Sequence, residues 1–323
     1  MIYRVKAVEK CGWRMELMAY VWPIGGGKGG SGKSFLTSSL GRLSAGLGKK
    51  TLLIDLDLGA ANLHTLVDLP YPTKCFSDFI RKKIPRLEDT VVETPVENLY
   101  LISGAHDNLD IANLPYEQKI KTLKAIARLD YDHILLDLGA GTSFNTLDFF
   151  LISHNGIFVT TPEPTSIENV YRLIRSIYFR RIRHCFNVTD FKALEEAADE
   201  LYGRGAVNRP ECMMEVVRLK YPETHAQIQD DFNGFRFKLV LNQLRRHDNA
   251  GLGQQICRII EKHLGLRIEF AGNVAYDDHV HDAICARVSF LERYPYTRTA
   301  GDLRELSKSV VQTAGEQMLI NYS

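Results

Sequence analysis

The chain has 323 residues, a formal net charge of +1 and 45% apolar side chains. That length suits one large α/β unit with an insertion, and the balanced charge excludes a global field for nucleic acid or anionic membrane, leaving only local patches. No apolar run reaches the length of a membrane span, the first residues do not read as a secretory leader, and Cys11, Cys75, Cys185, Cys212, Cys257 and Cys285 show no metal spacing. The expectation is a cytoplasmic protein with reduced thiols.

Residues 1–17 interrupt their apolar positions with Lys, Arg and Glu and are expected to form a loose arm ahead of one domain spanning 18–323. Strand-like runs then follow at 19–25 (AYVWPIG), 50–57, 98–103, 132–139, 155–161, 235–243 and 266–272. They are continuously apolar rather than alternating, as in strands buried on both faces of a parallel sheet. Helical patterns lie between them, such as PYEQKIKTLKAIARL, which starts at Pro115 and repeats apolar residues at Ile120, Leu123, Ile126 and Leu129. The fold class is therefore α/β, a doubly wound, mostly parallel sheet with helices on both faces. One interval, about 180–233, has no strand pattern and reads as two helices bounded by Gly or Pro, a helical insertion expected at the edge of the sheet.

The first strand runs into GGGKGGSGKS, residues 25–34. Gly27, Gly32, Lys33 and Ser34 match G-x-x-x-x-G-K-[ST] between a strand and a helical pattern. In that context glycines let backbone N–H groups wrap phosphates, and the helix start adds its positive end. Gly29, Gly30, Ser31 and Phe35 complete the stretch that would surround a nucleotide, with Lys33 reaching the β- and γ-phosphates and Ser34 holding magnesium. The bland alternative is a glycine-rich turn with no ligand. Two further strand runs end on carboxylates: Asp55 and Asp57 share a face of the chain at one end, and Asp137 closes another. Strand-end aspartates also form turns and caps, but convergence of several with a phosphate loop favours a site.

The run from Lys28 to Ser34, K-G-G-x-G-K-[ST], resembles the deviant Walker A motif of the MinD/ParA ATPases (P-loop NTPases, SIMIBI-like). The resemblance extends from Ala19 to about Leu306 outside the insertion, and LGAANLH and VTTPEPTSIENVYRLI look most like the MinD and FlhG (flagellar-number regulator) branch. It implies an ATP-dependent, dimerising ATPase that acts as a spatial or assembly regulator through an activator or cargo protein, with ATP and Mg2+ as cofactors. Lys28 would cross a homodimer interface to the partner's phosphates. Asp57 would orient the attacking water, Asp57 and Asp137 would hold magnesium through water, and Asn242 would hydrogen-bond adenine. Ser31 and Gly139 depart from the residues common in relatives, Val and Pro. No membrane-targeting tail is evident: the C-terminal stripe of Leu303, Leu306, Val310 and Met318 is expected to pack on the sheet.

Two alternatives stay open. A ParA-like partition ATPase would bind DNA non-specifically through Arg172, Arg175, Arg180, Arg181 and Arg183, although a charge run is more often a solvated face. A small-molecule phosphotransfer enzyme of the same fold is the other. Iron–sulfur relatives are not expected, since no cysteine stands near Asp137.

Overall fold

The structure, a computed structural model, describes residues 17–58, 61–104 and 114–312. Its strands are β1 (Tyr20–Gly25), β2 (Thr51–Leu56), β3 (Val92–Glu93), β4 (Leu99–Ile102), β5 (His133–Leu138), β6 (Asn155–Thr160), β7 (Arg236–Leu244) and β8 (Glu269–Ala275). They form a sheet in the order β3-β4-β2-β5-β1-β6-β7-β8, parallel throughout except for the β3–β4 pair. The chain leaves β1 for β2 on one side and later builds β6 to β8 on the other, which opens a crevice at the C-terminal end of β1.

The helices are α1 (Lys33–Gly46), α2 (Leu63–Leu66), α3 (Phe76–Ile80), α4 (Tyr116–Ala127), α5 (Phe144–Phe150), α6 (Pro164–His184), α7 (Val188–Tyr202), α8 (Pro210–Lys220), α9 (Pro222–Gly234), α10 (Leu252–Leu264), α11 (His279–Ala286), α12 (Phe290–Arg293) and α13 (Arg298–Ser307). Alternate strand residues feed two cores: Val21, Ile54 and Leu136 join the layer under α4 to α6 and α10, while Trp22, Leu53 and Leu135 join the layer under α1 and α13. Burial on both faces is the reason the strand runs are apolar without alternation. Leu303, Leu306 and Val310 are buried in the second layer as expected; Met318 lies outside the described residues. Leu17 packs on the first layer, and the rest of the expected arm lies outside the described residues.

The expected strand at 266–272 is displaced to Glu269–Ala275. Gly265 closes α10 in the left-handed conformation, and Leu266 and Ile268 are buried in the connection before pairing begins. In the insertion, the second expected helix is split into α8 and α9 where Pro222 removes a backbone donor. The insertion packs on α6 and α10 over one face of the sheet, rather than on its edge. His154 Nε2, just before β6, lies 3.1 Å from Asp231 of α9, and β6 and β7 begin with the pair Asn155 and Arg236. The insertion therefore sits at the N-terminal end of the strands, away from the crevice. Cys75, Cys212, Cys257 and Cys285 are free thiols. Among the described residues no helix is long and apolar enough to cross a membrane.

Arg181 Nε donates to Asp231, and both side chains are buried. Burial opposes ionising Asp231, but His154 and Arg181 more than offset it and hold the carboxyl well below the usual range. Asp231→Ala leaves Arg181 as an uncompensated buried charge and is expected to cost about 3–5 kcal/mol in urea unfolding at neutral pH. A loss below about 1 kcal/mol would show that the pair does not anchor the insertion.

Candidate functional site

The loop between β1 and α1 is held by contacts that exclude side chains. A Cβ on Gly27 would stand 2.1 Å from the backbone carbon of Asn169 in α6, and one on Gly32 would stand 2.2 Å from Asn242 Nδ2. Gly30 and Gly32 have φ of 80° and 87°, in the left-handed region, so the loop turns where L side chains would be strained. Around Gly29 and Gly30 nothing lies within 4 Å of an added Cβ, so the mouth of the loop is open. Such a cradle, a ring of backbone N–H groups at the start of a 14-residue helix, suits a phosphate chain. Lys33 is buried at the base of the loop as the first residue of α1, and Ser34 follows it.

Asp55 and Asp137 are register partners on the neighbouring parallel strands β2 and β5. Burial, then the Asp137 charge, pushes the Asp55 carboxyl well above the usual carboxylate range; the N–H groups of Leu63 and Asp57, at 3.0 and 3.2 Å, pull the other way. Asp55 therefore ties down both flanks of the loop that follows β2, a role the sequence reading did not assign to it. Burial pushes Asp137 up to about 6, opposed by a hydrogen bond from Ser34 and by the Lys33 charge. Thr37 Oγ1 adds a contact to Asp137 at 3.4 Å. Asp57 sits above this pair, close enough that a Cβ on Gly139 would lie 3.2 Å from its Oδ1. A cavity of about 160 Å3 opens there, lined by Asp57, Gly139, Ser143 and Thr146.

The structure thus gathers Lys33, Ser34, Asp57 and Asp137 at adjoining strand ends. The oxygens of Ser34, Asp57 and Asp137 are hard donors that fit magnesium, which keeps several waters and takes one or two carboxylates together with phosphate oxygens. Among the described residues no group of three or more His, Cys, Asp or Glu makes a ready metal cluster.

Asn242 Nδ2 donates to the Ser31 carbonyl at 2.8 Å, and Gln243 Nε2 donates to the Gly30 carbonyl at 2.8 Å. Both residues brace the phosphate loop; Gln243 was not foreseen, and its positive φ of 58° is invisible in sequence. Lys28 Nζ lies 2.9 Å from Glu163 Oε2, just before α6, with both side chains substantially exposed. Glu163 was also missed as a partner, although it stands inside a quoted stretch. Of the arginines considered for DNA, Arg180 and Arg181 are committed to the buried carboxylates of Asp148 and Asp231, whereas Arg172 makes only an exposed pair with Glu168. Arg181 is buried and Arg180 is held by Asp148, so these two do not join Arg172, Arg175 and Arg183 in one free cationic face.

A phosphate loop at the crevice of a mostly parallel sheet, with carboxylates on the adjoining strand ends, defines a P-loop nucleotide-binding protein. The chain belongs to the CobQ/CobB/MinD/ParA nucleotide binding domain family, whose model matches residues 23–290. It is 33% identical over 159 residues to a putative septum site-determining protein MinD of Guillardia theta, covering 49% of this chain and 58% of that protein. It is 21% identical over 290 residues to the antiactivator FleN of Pseudomonas aeruginosa, covering 89% of this chain and 84% of that protein. In fold it is similar to MinD complexed with Mg-ADP from Pyrococcus horikoshii OT3, with TM-score 0.64 and 19% identity, covering 93% of this chain and 98% of that one.

Because Asp137 binds its proton more tightly folded than unfolded, the stability of the metal- and nucleotide-free protein is expected to fall as pH rises from about 4 to about 6. Asp137→Asn should flatten that slope and raise the unfolding midpoint at neutral pH. An unchanged pH profile in the variant would remove Asp137 as its source.

Proposed function

We propose that the chain binds ATP with Mg2+, dimerises through the phosphate-loop face, and hydrolyses ATP to ADP and phosphate, so that assembly and disassembly of the dimer regulate an activator or cargo protein. The observation that carries this reading is the position of Lys28. Lys33 already serves the loop from its base, whereas Lys28 stands at the open mouth, tethered among the described residues only to the exposed Glu163. An exposed pair of this kind is worth about 0–1 kcal/mol, so Lys28 leaves it at little cost when a better anion is offered. The phosphates bound by a second copy are such an anion.

Magnesium, when bound, supplies positive charge against the β- and γ-phosphates. Ser34 would hold it directly, with Asp57 and Asp137 acting through water. Lys33 neutralises phosphate charge from within the chain, and Lys28 from across the dimer, where it strengthens as charge develops on the leaving group. Asp57 orients the attacking water over the open cavity beside Gly139. Asn242, with its Nδ2 committed to the loop, would accept from the adenine amino group through Oδ1. The relation to MinD and FleN proteins supports a regulatory switch, and the word antiactivator in the name of the latter supports action on a partner protein.

The test is the mass in solution of the Asp57→Ala variant with ATP and Mg2+ against ADP and Mg2+. A dimer with ATP only, lost when Lys28→Ala is added, is the expected outcome, together with a fall in wild-type turnover of at least about a hundredfold on Lys28→Ala alone. A monomer despite bound ATP would sink the reading and favour phosphotransfer to a small acceptor.

A further inference from the structure

At the opposite end of α6 from Glu163, helices α4, α6 and α7 border a cavity of about 170 Å3. Arg180, Arg183 and His184 line it from α6, with Phe186 and Phe191 on the side of α7. Behind it Asp148 of α5 is almost wholly buried. It accepts from Arg180 Nε and Nη2 at 2.7 and 2.8 Å, is ion-paired to Lys119 Nζ, and lies 3.3 Å from His184 Nε2. Burial works against its ionisation, but His184, Arg180 and Lys119 together hold its carboxyl well below the usual range.

One buried carboxylate therefore faces two permanent cations, Lys119 and Arg180, and Arg183 adds a third that forms no ion pair among the described residues. Buried cations are normally matched by anions, and the two largely buried ones here, Lys119 and Arg180, share the single carboxylate of Asp148, while Arg183 is exposed at the rim of the cavity. Both guanidinium groups are held by aromatic faces, Arg180 at 4.8 Å from the Phe144 ring centre and Arg183 at 5.0 Å from that of Phe191. Arg180 uses Nε and Nη2 on Asp148 and keeps Nη1 in reserve.

We infer that this cavity binds a small molecule carrying an oxyanion on an aromatic body, the guanidinium groups taking the phosphate or carboxylate and the phenylalanine rings the flat remainder. The site is separate from the phosphate loop and does not rest on the nucleotide reading. Because Arg180 reaches from the cavity wall to Asp148 behind it, a bound anion competes with Asp148 for that guanidinium.

The full chain, kept saturated with Mg-ADP so that the phosphate loop is occupied, is titrated with phenyl phosphate, with benzoate and with inorganic phosphate while the thermal midpoint is followed. A saturable rise with phenyl phosphate or with benzoate is expected, and whichever acts identifies the anionic group. In Arg183→Gln, an exposed position whose ligand-free midpoint should stay near wild type, the half-saturating concentration should increase about tenfold or more. An equal effect from inorganic phosphate alone overturns the aromatic part of the assignment. No rise with any probe, or a rise unchanged in Arg183→Gln, overturns the site.

Discussion

Much of the structure depends on one close approach, that of the phosphate loop to α6. Gly27 lies where even a methyl group would collide with the Asn169 backbone, so loop and helix wall can meet in one way. On the other side Gly32 is pressed against Asn242, whose amide holds the Ser31 carbonyl. The loop is thus wedged between α6 and the end of β7 before any ligand arrives. A cradle fixed by packing meets phosphate with its donors already aimed, which spares the ordering entropy that a free glycine-rich segment would lose.

The carboxylates face the opposite constraint. Parallel register sets Asp55 directly beside Asp137, and both are buried, so burial disfavours ionisation of both and the Asp137 charge further disfavours that of Asp55. The two are not equivalent. Asp55 accepts backbone N–H groups from both flanks of the following loop and works as a brace, while Asp57, two residues on and only partly buried, is turned toward the open cavity. The arrangement costs stability in the empty protein and is eased within the chain by the Lys33 charge. Strain of this kind is common where a site must be ready before its ligand binds.

What was legible in the sequence follows from range. Gly27 to Ser34, the strand-end aspartates and the doubly wound order are local patterns, and the structure reproduces them within a residue or two except at β8. β3 is two residues long and gains its identity only by pairing antiparallel with β4, so no periodicity announces it. The arginines of α6 looked like a single charged face because spacing along one helix says nothing of Asp148 and Asp231, which lie 32 and 50 residues away in sequence and take two of them. In the same way Lys28 was recognised from its motif, but Glu163, 135 residues distant, could be joined to it only by the fold.

These distant pairs share α6. Its 21 residues span about 30 Å, with Glu163 and Lys28 at one end, the wall against Gly27 along the first turns, and the ties of Arg180 and Arg181 to α5 and α9 at the other. A helix carrying buried partners on several sides is held as a rigid body, because rotation would strand at least one charge without its counterion. Buried ion pairs add little net stability compared with apolar packing, so their effect here is better described as fixing register. The register in question is that of the insertion against the same helix that walls the phosphate loop.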